Sequence, residues 1–239
     1  MQLNTRSPRA RVGLIVPSSN RMFEPHAANY MPDDVACHVT RLRMTGPYFM
    51  PLDELLPKVT EAAGLLNDAK CDPIVFHCTA NSMSDGISGE ARIKKAIEEA
   101  SKKPGVTTAS ATLAALKHLD AKRIVLVSPY RRKSHEHEMS FLSDAGFEII
   151  GEKNLGLNGS DAYCGMPASK WFDTMLQMKD DKADAYFVSC ANIQALDCLE
   201  DMEDALGAPV VTSNQLVIWK ALRMAGINET IQGLGKLAA

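Results

Sequence analysis

The sequence predicts an α/β protein of two similar halves, each a parallel sheet flanked by helices, with a ligand site in the cleft between them. Three observations carry this reading. Short apolar runs of strand type alternate along the chain with segments of about 10–15 residues at helical spacing, the pattern of parallel β/α units. The strand end Ile15-Val16-Pro17 recurs as Val127-Ser128-Pro129, 112 residues on, and Cys78 recurs as Cys190 at the same offset. A third echo, at 103 residues, aligns the segment from Ser110 with that from Ser213 through a shared S-x-x-L-x-x-x-K-x-L. The division falls near residue 120, giving halves 1–120 and 121–239, with no proline- or glycine-rich linker between them.

The elements follow in order. Residues 12–17 form a buried strand closed by proline, then Ser18-Ser19-Asn20 and a short helix or turn over 22–30. Strands are expected at 35–42, 74–78 and 106–108, and helices at 52–66, 87–100 and 110–119. In the second half, strands are expected at 123–128, 147–151, 185–190 and 210–212. The helices there run over 131–145, 167–178, 193–206 and 213–225, with a Gly- and Asn-rich loop over 154–167. The tail, 228–239, is expected as an irregular or helical arm packing back on the first half.

Composition excludes several functional classes. The 239 residues carry a formal net charge of −3 and no basic stripe, which argues against nucleic-acid binding. No apolar run approaches the roughly 20 residues of a membrane helix. Residues 1–10 lack the apolar core of a signal peptide, so the cytoplasm is the expected compartment. The six cysteines include no C-x-x-C pair and no zinc-finger spacing, so neither a disulfide framework nor a metal site is expected. Neither phosphate-binding glycine motif occurs, and a cofactor-independent enzyme is the simpler reading.

The candidate chemistry lies in the loops after the strands, where open α/β sheets place their ligands. Cys78 and Cys190 each sit at a strand-to-loop junction, followed by Thr79-Ala80-Asn81 and Ala191-Asn192. Such loops offer backbone N–H groups, which a buried thiol needs if it is to ionise. Cys37, Cys71 and Cys198 read as inert core thiols, and Cys164 has no evident role. Ser19 and Asn20 suit a carboxylate-binding turn, and Tyr130 occupies the corresponding place in the second half. His77 adjoins Cys78, but neighbouring strand residues point to opposite faces, which argues against a thiolate–imidazolium pair. Ser134-His135-Glu136-His137-Glu138 reads as a solvated, charged first turn of a helix rather than a metal site.

These residues carry a resemblance. Val-Gly-Leu-Ile-Val-Pro-Ser-Ser-Asn at 12–20 with Glu24-Pro25, His77-Cys78-Thr79, Val-Ser-Pro-Tyr at 127–130 and Val-Ser-Cys at 188–190 resemble the aspartate/glutamate racemase superfamily. Within it they are most similar to the branch containing maleate cis-trans isomerase and arylmalonate decarboxylase. The resemblance implies Cys78 as nucleophile, Cys190 as proton-transferring residue, and Asn20 and Tyr130 as holders of substrate carboxylates. It implies a further asparagine in the second-half loop, for which Asn158 is the candidate, with Ser19, Thr79 and Ala191 completing the binding set. The implied reaction is conversion of a small unsaturated dicarboxylate, maleate to fumarate, by a protein that is commonly a homo-oligomer. Arylmalonate decarboxylases keep only the second cysteine, so two cysteines favour isomerisation, with two-thiol racemisation of an Asp/Glu-type amino acid or a hydantoin, or an arylmalonate-type decarboxylation, as the alternatives. The unusual Phe76-His77 and Asn81-Ser82-Met83 around the first cysteine point to a different, bulkier acid. A two-lobed carboxylate-binding protein is the non-enzymatic alternative.

Overall fold

The computed structural model describes residues 7–45 and 49–239, so most of the 1–10 segment read for a leader lies outside the described residues. Two four-stranded parallel sheets form the framework. The first contains β1 (Ala10–Pro17), β2 (Val35–Leu42), β3 (Ile74–Phe76) and β4 (Gly105–Thr107) in the order β2-β1-β3-β4. The second repeats it with β5 (Arg123–Ser128), β6 (Glu148–Asn154), β7 (Ala185–Val188) and β8 (Val210–Thr212) in the order β6-β5-β7-β8. The register repeats as well: Ile15 pairs with Phe76, and Val127 with Val188, each 112 residues further on.

The first half carries the helices α1 (Phe23–Tyr30), α2 (Leu52–Asp68), α3 (Thr79–Met83), α4 (Gly86–Ser101) and α5 (Thr108–His118). The second carries α6 (Arg132–Asp144), α7 (Ser160–Gly165), α8 (Ala168–Leu176), α9 (Leu199–Leu206) and α10 (Ser213–Met224). Strand alternation divides the first sheet's contacts. Ile15, Ile74 and Phe76 face outward into a cluster with Leu55, Val59 and Ile93 of α2 and α4. Val12, Leu14, Val16 and Val75 face inward and join a single core that continues through Val125, Val127, Phe187 and Trp171 of the second half. Helix α5 packs on α10, and α3 and α4 pack on α6, so the two halves share buried surface along their joint. No helix of the described residues is long and apolar enough to cross a membrane.

Several expectations need correction. The third echo slips by two residues. Thr107 ends β4 and Thr212 ends β8, and each caps the following helix through its side chain while its own N–H donates to the side chain of Ser110 and Gln215 respectively. The equivalence therefore runs Thr107 to Thr212, an offset of 105, because the capping box fixes where each helix starts. The loop at 154–167 contains α7, six residues behind two glycines at positive φ, too short to show a period. Likewise α3 starts directly after Cys78, and the expected helix at 193–206 opens with a 3₁₀ turn, Ala195–Cys198. The tail packs mainly on the second half, where the Leu234 carbonyl accepts from Gln215 and Lys236 N–H donates to Glu203, although Glu229 pairs with Arg9. The segment 134–138 is not a solvated turn: His135 and Glu138 are fully buried, on the stripe that continues to Phe141 and Leu142.

Candidate active site

Four strand ends from the two sheets converge on one cavity of about 90 Å³. After β1 come Ser19 and Asn20; after β3, Cys78, Thr79 and Ala80; after β5, Tyr130; after β7, Cys190, Ala191 and Asn192. Helices α6 and α7 add Ser134, Ser160 and Tyr163, and Pro17, Met44 and Phe49 supply apolar wall. Among the described residues no charged side chain is in the lining. An anion there is held by N–H and O–H groups alone, which in a site of low dielectric are strong partners for charge.

The two cysteines stand at matching places with different backbones. Cys78 is extended, with φ −148°, and precedes the first N–H groups of α3, which have no intrahelical acceptor. Cys190 holds φ at 124°, a conformation that costs a side-chain-bearing residue roughly 1–3 kcal/mol. Two bonds maintain it: its N–H donates to Ser213 Oγ at 3.0 Å, and Asn192 N–H donates to its Sγ at 3.4 Å. The same Ser213 hydroxyl accepts from Thr79 Oγ1 at 2.9 Å, so one residue of α10 ties the two cysteine loops together.

The β1 and β7 loops are clipped to each other in both directions. Asn20 donates from Nδ2 to the Ala191 carbonyl at 2.9 Å, while its Oδ1 accepts from the N–H groups of Met22 and Phe23, both at 3.0 Å. Asn192 in turn accepts from Arg21 N–H at 2.8 Å and reaches the Ser19 carbonyl at 3.4 Å. Ser19 Oγ donates to the Met44 carbonyl and accepts from Ser160 Oγ, each at 2.9 Å.

Burial dominates the protonation states. It pushes the Cys190 thiol up to about 12, although the Tyr130 phenol and the Asn192 N–H favour the thiolate. The Cys78 thiol is pushed up to about 11, with the Asn81 N–H acting the other way. The Tyr130 phenol is raised well above its ordinary range, by burial first and then by Cys190. In these surroundings both thiols and the phenol are neutral near pH 7, and a thiolate is formed only against this desolvation.

A sequence profile of the arylmalonate decarboxylase family matches residues 12–238. The chain belongs to that family. The maleate isomerase of Nocardia farcinica is 26% identical over 95% of this chain and 94% of its own length. The arylmalonate decarboxylase of Bordetella bronchiseptica is 25% identical over 90% of each chain. Among solved structures, a mutant of the Nocardia maleate cis-trans isomerase with a covalently bound succinylcysteine intermediate superposes with a TM-score of 0.88. It is 23% identical, over 96% of this chain and 98% of that one.

In this family member's cavity, the residues singled out by sequence divide. Ser19, Asn20, Cys78, Thr79, Tyr130, Cys190 and Ala191 all line it. Asn158 does not: it lies on the outer face of the β6–α7 loop, where its Oδ1 accepts from Arg131 at 2.9 Å. The second-half asparagine facing the cavity is Asn192, two residues after a strand-end cysteine and so within a segment that spacing alone marks. Ser160, Tyr163, Met44 and Phe49 carry no such signal, because only tertiary packing brings them to the strand ends. His77 points away from the cavity, as alternation required, and bonds to Thr108 at 3.0 Å and to Asn214 at 2.8 Å.

The bonding of Asn20 makes its substitutions informative. Asn20→Ala leaves two N–H groups and one carbonyl without their partner, and is expected to cost about 2–3 kcal/mol. Asn20→Ser keeps a neutral acceptor for the N–H groups of α1 and loses the donor across the cleft. Thermal melting should therefore fall markedly for the alanine variant and less for the serine. Equal losses would mean that the turn before α1 is not what Asn20 stabilises.

Proposed function

We propose that the protein is a cofactor-independent cis-trans isomerase of a small unsaturated dicarboxylate, with maleate to fumarate as the model reaction. The observation that carries this reading is the presence of two cysteines, on equivalent strand ends of two halves, in one uncharged cavity. The carboxylates are held by the N–H groups at the start of α3 and in the β7 loop, with Asn20 and Tyr130. Cys78 adds as a thiolate to one alkene carbon, the C–S bond forms, and the π electrons move onto the adjacent carboxylate as an enediolate. The former double bond is then single and rotates. Cys190 gives its thiol proton to the enediolate carbon and, after rotation, takes a proton back from that carbon, and expulsion of the Cys78 thiolate restores the alkene as fumarate.

Two features support isomerisation over amino-acid racemisation. Among the described residues the lining offers no carboxylate to anchor an α-ammonium group. The Nocardia maleate isomerase, for its part, is described with a succinylcysteine intermediate, an adduct of the kind drawn here. Asn158, outside the cavity, is left without a role in this scheme. With the reading go assembly as a homo-oligomer and a cytoplasmic location, which sedimentation and cell fractionation test.

The direct test is proton NMR of the reduced protein with maleate in deuterated water, alongside Cys78→Ser. Fumarate is expected with the unmodified protein and not with the variant. Unchanged maleate would sink the maleate assignment. α-Proton exchange in an amino or aryl-substituted acid would then move the activity to racemisation or decarboxylation.

A further inference from the structure

Beneath the cavity lies a buried carboxyl that the scheme above does not use. Glu138 is on α6, one turn after the cavity-lining Ser134, and is fully buried. Its Oε1 accepts from Ser189 Oγ at 2.6 Å, and Ser189 is the residue before Cys190. Its Oε2 is buried with no hydrogen-bond partner among the described residues. Nor does any cation among them pair with the group.

Among the described residues the neighbouring elements supply no compensating charge. From the β3 end Cys78 feels the charge of Glu138, from the β5 end Tyr130, from α7 Tyr163, and from the β7 end Cys190. Helix α3 presents the uncharged Thr79 and Asn81 among its buried residues. The buried carboxyl of α4, Glu90, is turned to Thr107 at 2.7 Å. The carboxylate of β6, Glu152, is held by Arg132 and His135. An ionised Glu138 would thus sit in the protein interior, uncompensated, within electrostatic range of both thiols.

We propose that Glu138 is a positioning residue of the two-thiol site, held as the neutral acid so that a thiolate can form, and that its ionisation closes the site to thiolate chemistry at alkaline pH. An unpartnered Oε2 is the natural place for the acid proton, since a carboxylate there would need a donor or cation that the described residues do not provide. Burial raises the group to about 8, against the opposing Ser189 hydrogen bond. The inference deepens the isomerase reading and rests on its assignment of Cys78 and Cys190 as the reacting groups.

The test measures thiol ionisation rather than turnover. Cys78 and Cys190 are alkylated with iodoacetamide across a pH series, in the unmodified protein and in Glu138→Gln, with the modified peptides identified by mass spectrometry. The rates should coincide near neutral pH, where both side chains are neutral. At about pH 9 the variant should react about threefold faster or more, the effect of half a pKa unit or greater on thiolate population. Ser189→Ala, which removes the bond favouring the carboxylate, should move the same way by less, and it carries the test if Glu138→Gln fails to fold. Superimposed curves, or slower alkylation in Glu138→Gln, overturn the proposal. A shifted alkylation curve with no turnover of maleate would reject the isomerase reading and leave this inference standing. Turnover with an unshifted curve would do the reverse.

Discussion

Maleate added to Cys190→Ser is expected to accumulate on Cys78 as a stable succinyl thioether, visible as a single adduct by intact-mass spectrometry. The reason lies in the division of labour proposed for the two thiols. Addition needs only the Cys78 sulfur and the donors that hold the carboxylates. The carbanion then takes a proton, from water in the variant, and the adduct is left. Return to an alkene needs that proton removed again at the right face, and a serine hydroxyl is far too weak an acid–base group at neutral pH to do so. Loss of a positioned proton-transfer group lowers turnover by about 10²- to 10⁴-fold. Cys78→Ser should form no adduct at all, because the hydroxyl that replaces the thiol has no accessible anion in a site that already opposes a thiolate. An adduct on Cys190 in Cys78→Ser would reverse the assigned roles, and an adduct on Cys164 or Cys37 would show non-specific thiol chemistry. The strained backbone at Cys190 is kept in both experiments, since the Ser213 and Asn192 bonds involve groups that serine retains or closely imitates.

Raising the pH from about 5 to above 8 should cost the protein stability that Glu138→Gln keeps. The folded state holds the Glu138 acid up to about 8, against an ordinary value of 4.5. Between those values the folded chain binds a proton that the unfolded chain has released, so stability declines as pH rises through the window and levels off above it. The full effect is on the order of a few kcal/mol. His77 works at the other end: burial lowers it to about 4 from 6.5, so its contribution is present above 6.5 and is lost as pH falls towards 4. Because His77 is common to both proteins, it cancels in the difference. Urea unfolding at several pH values measures that difference directly. A gap between Glu138→Gln and the unmodified protein that widens with pH is the expected result. A constant gap would mean that Glu138 is ionised in the folded protein throughout.

Much of this architecture is legible in the order of the residues. The β1 and β5 strands, the equivalence of Cys78 with Cys190, and the opposite facing of His77 and Cys78 follow from apolar runs, a constant offset and the two-residue period of a strand. These are local properties, carried by neighbouring residues. The short helices α3 and α7 are not legible, because five or six residues give no period and one of them follows glycines.

The segment 134–138 shows where local patterns stop. Two histidines and two glutamates suggest solvent, yet His135 lies against Ser128 at 2.7 Å and Glu138 against Ser189 at 2.6 Å, both on strand ends. Their burial depends on which face of α6 meets the sheet, and that is settled by Phe141 and Leu142 about a turn further on. Asn158 and Asn192 make the same point. Both are loop asparagines of the second half, but only the one anchored to the β1 loop by Arg21 and Ser19 faces the cavity.

The sequence by itself thus determined the repeated α/β plan, the family and the two thiols, because each rests on strand identity and spacing along the chain. Only the tertiary structure decided which polar groups surround those thiols, which asparagine is inside, and that an unpaired carboxyl lies beneath both. Those depend on contacts between segments far apart in the chain, such as Asn20 with Ala191, Thr79 with Ser213 and Glu138 with Ser189, and no local pattern encodes them.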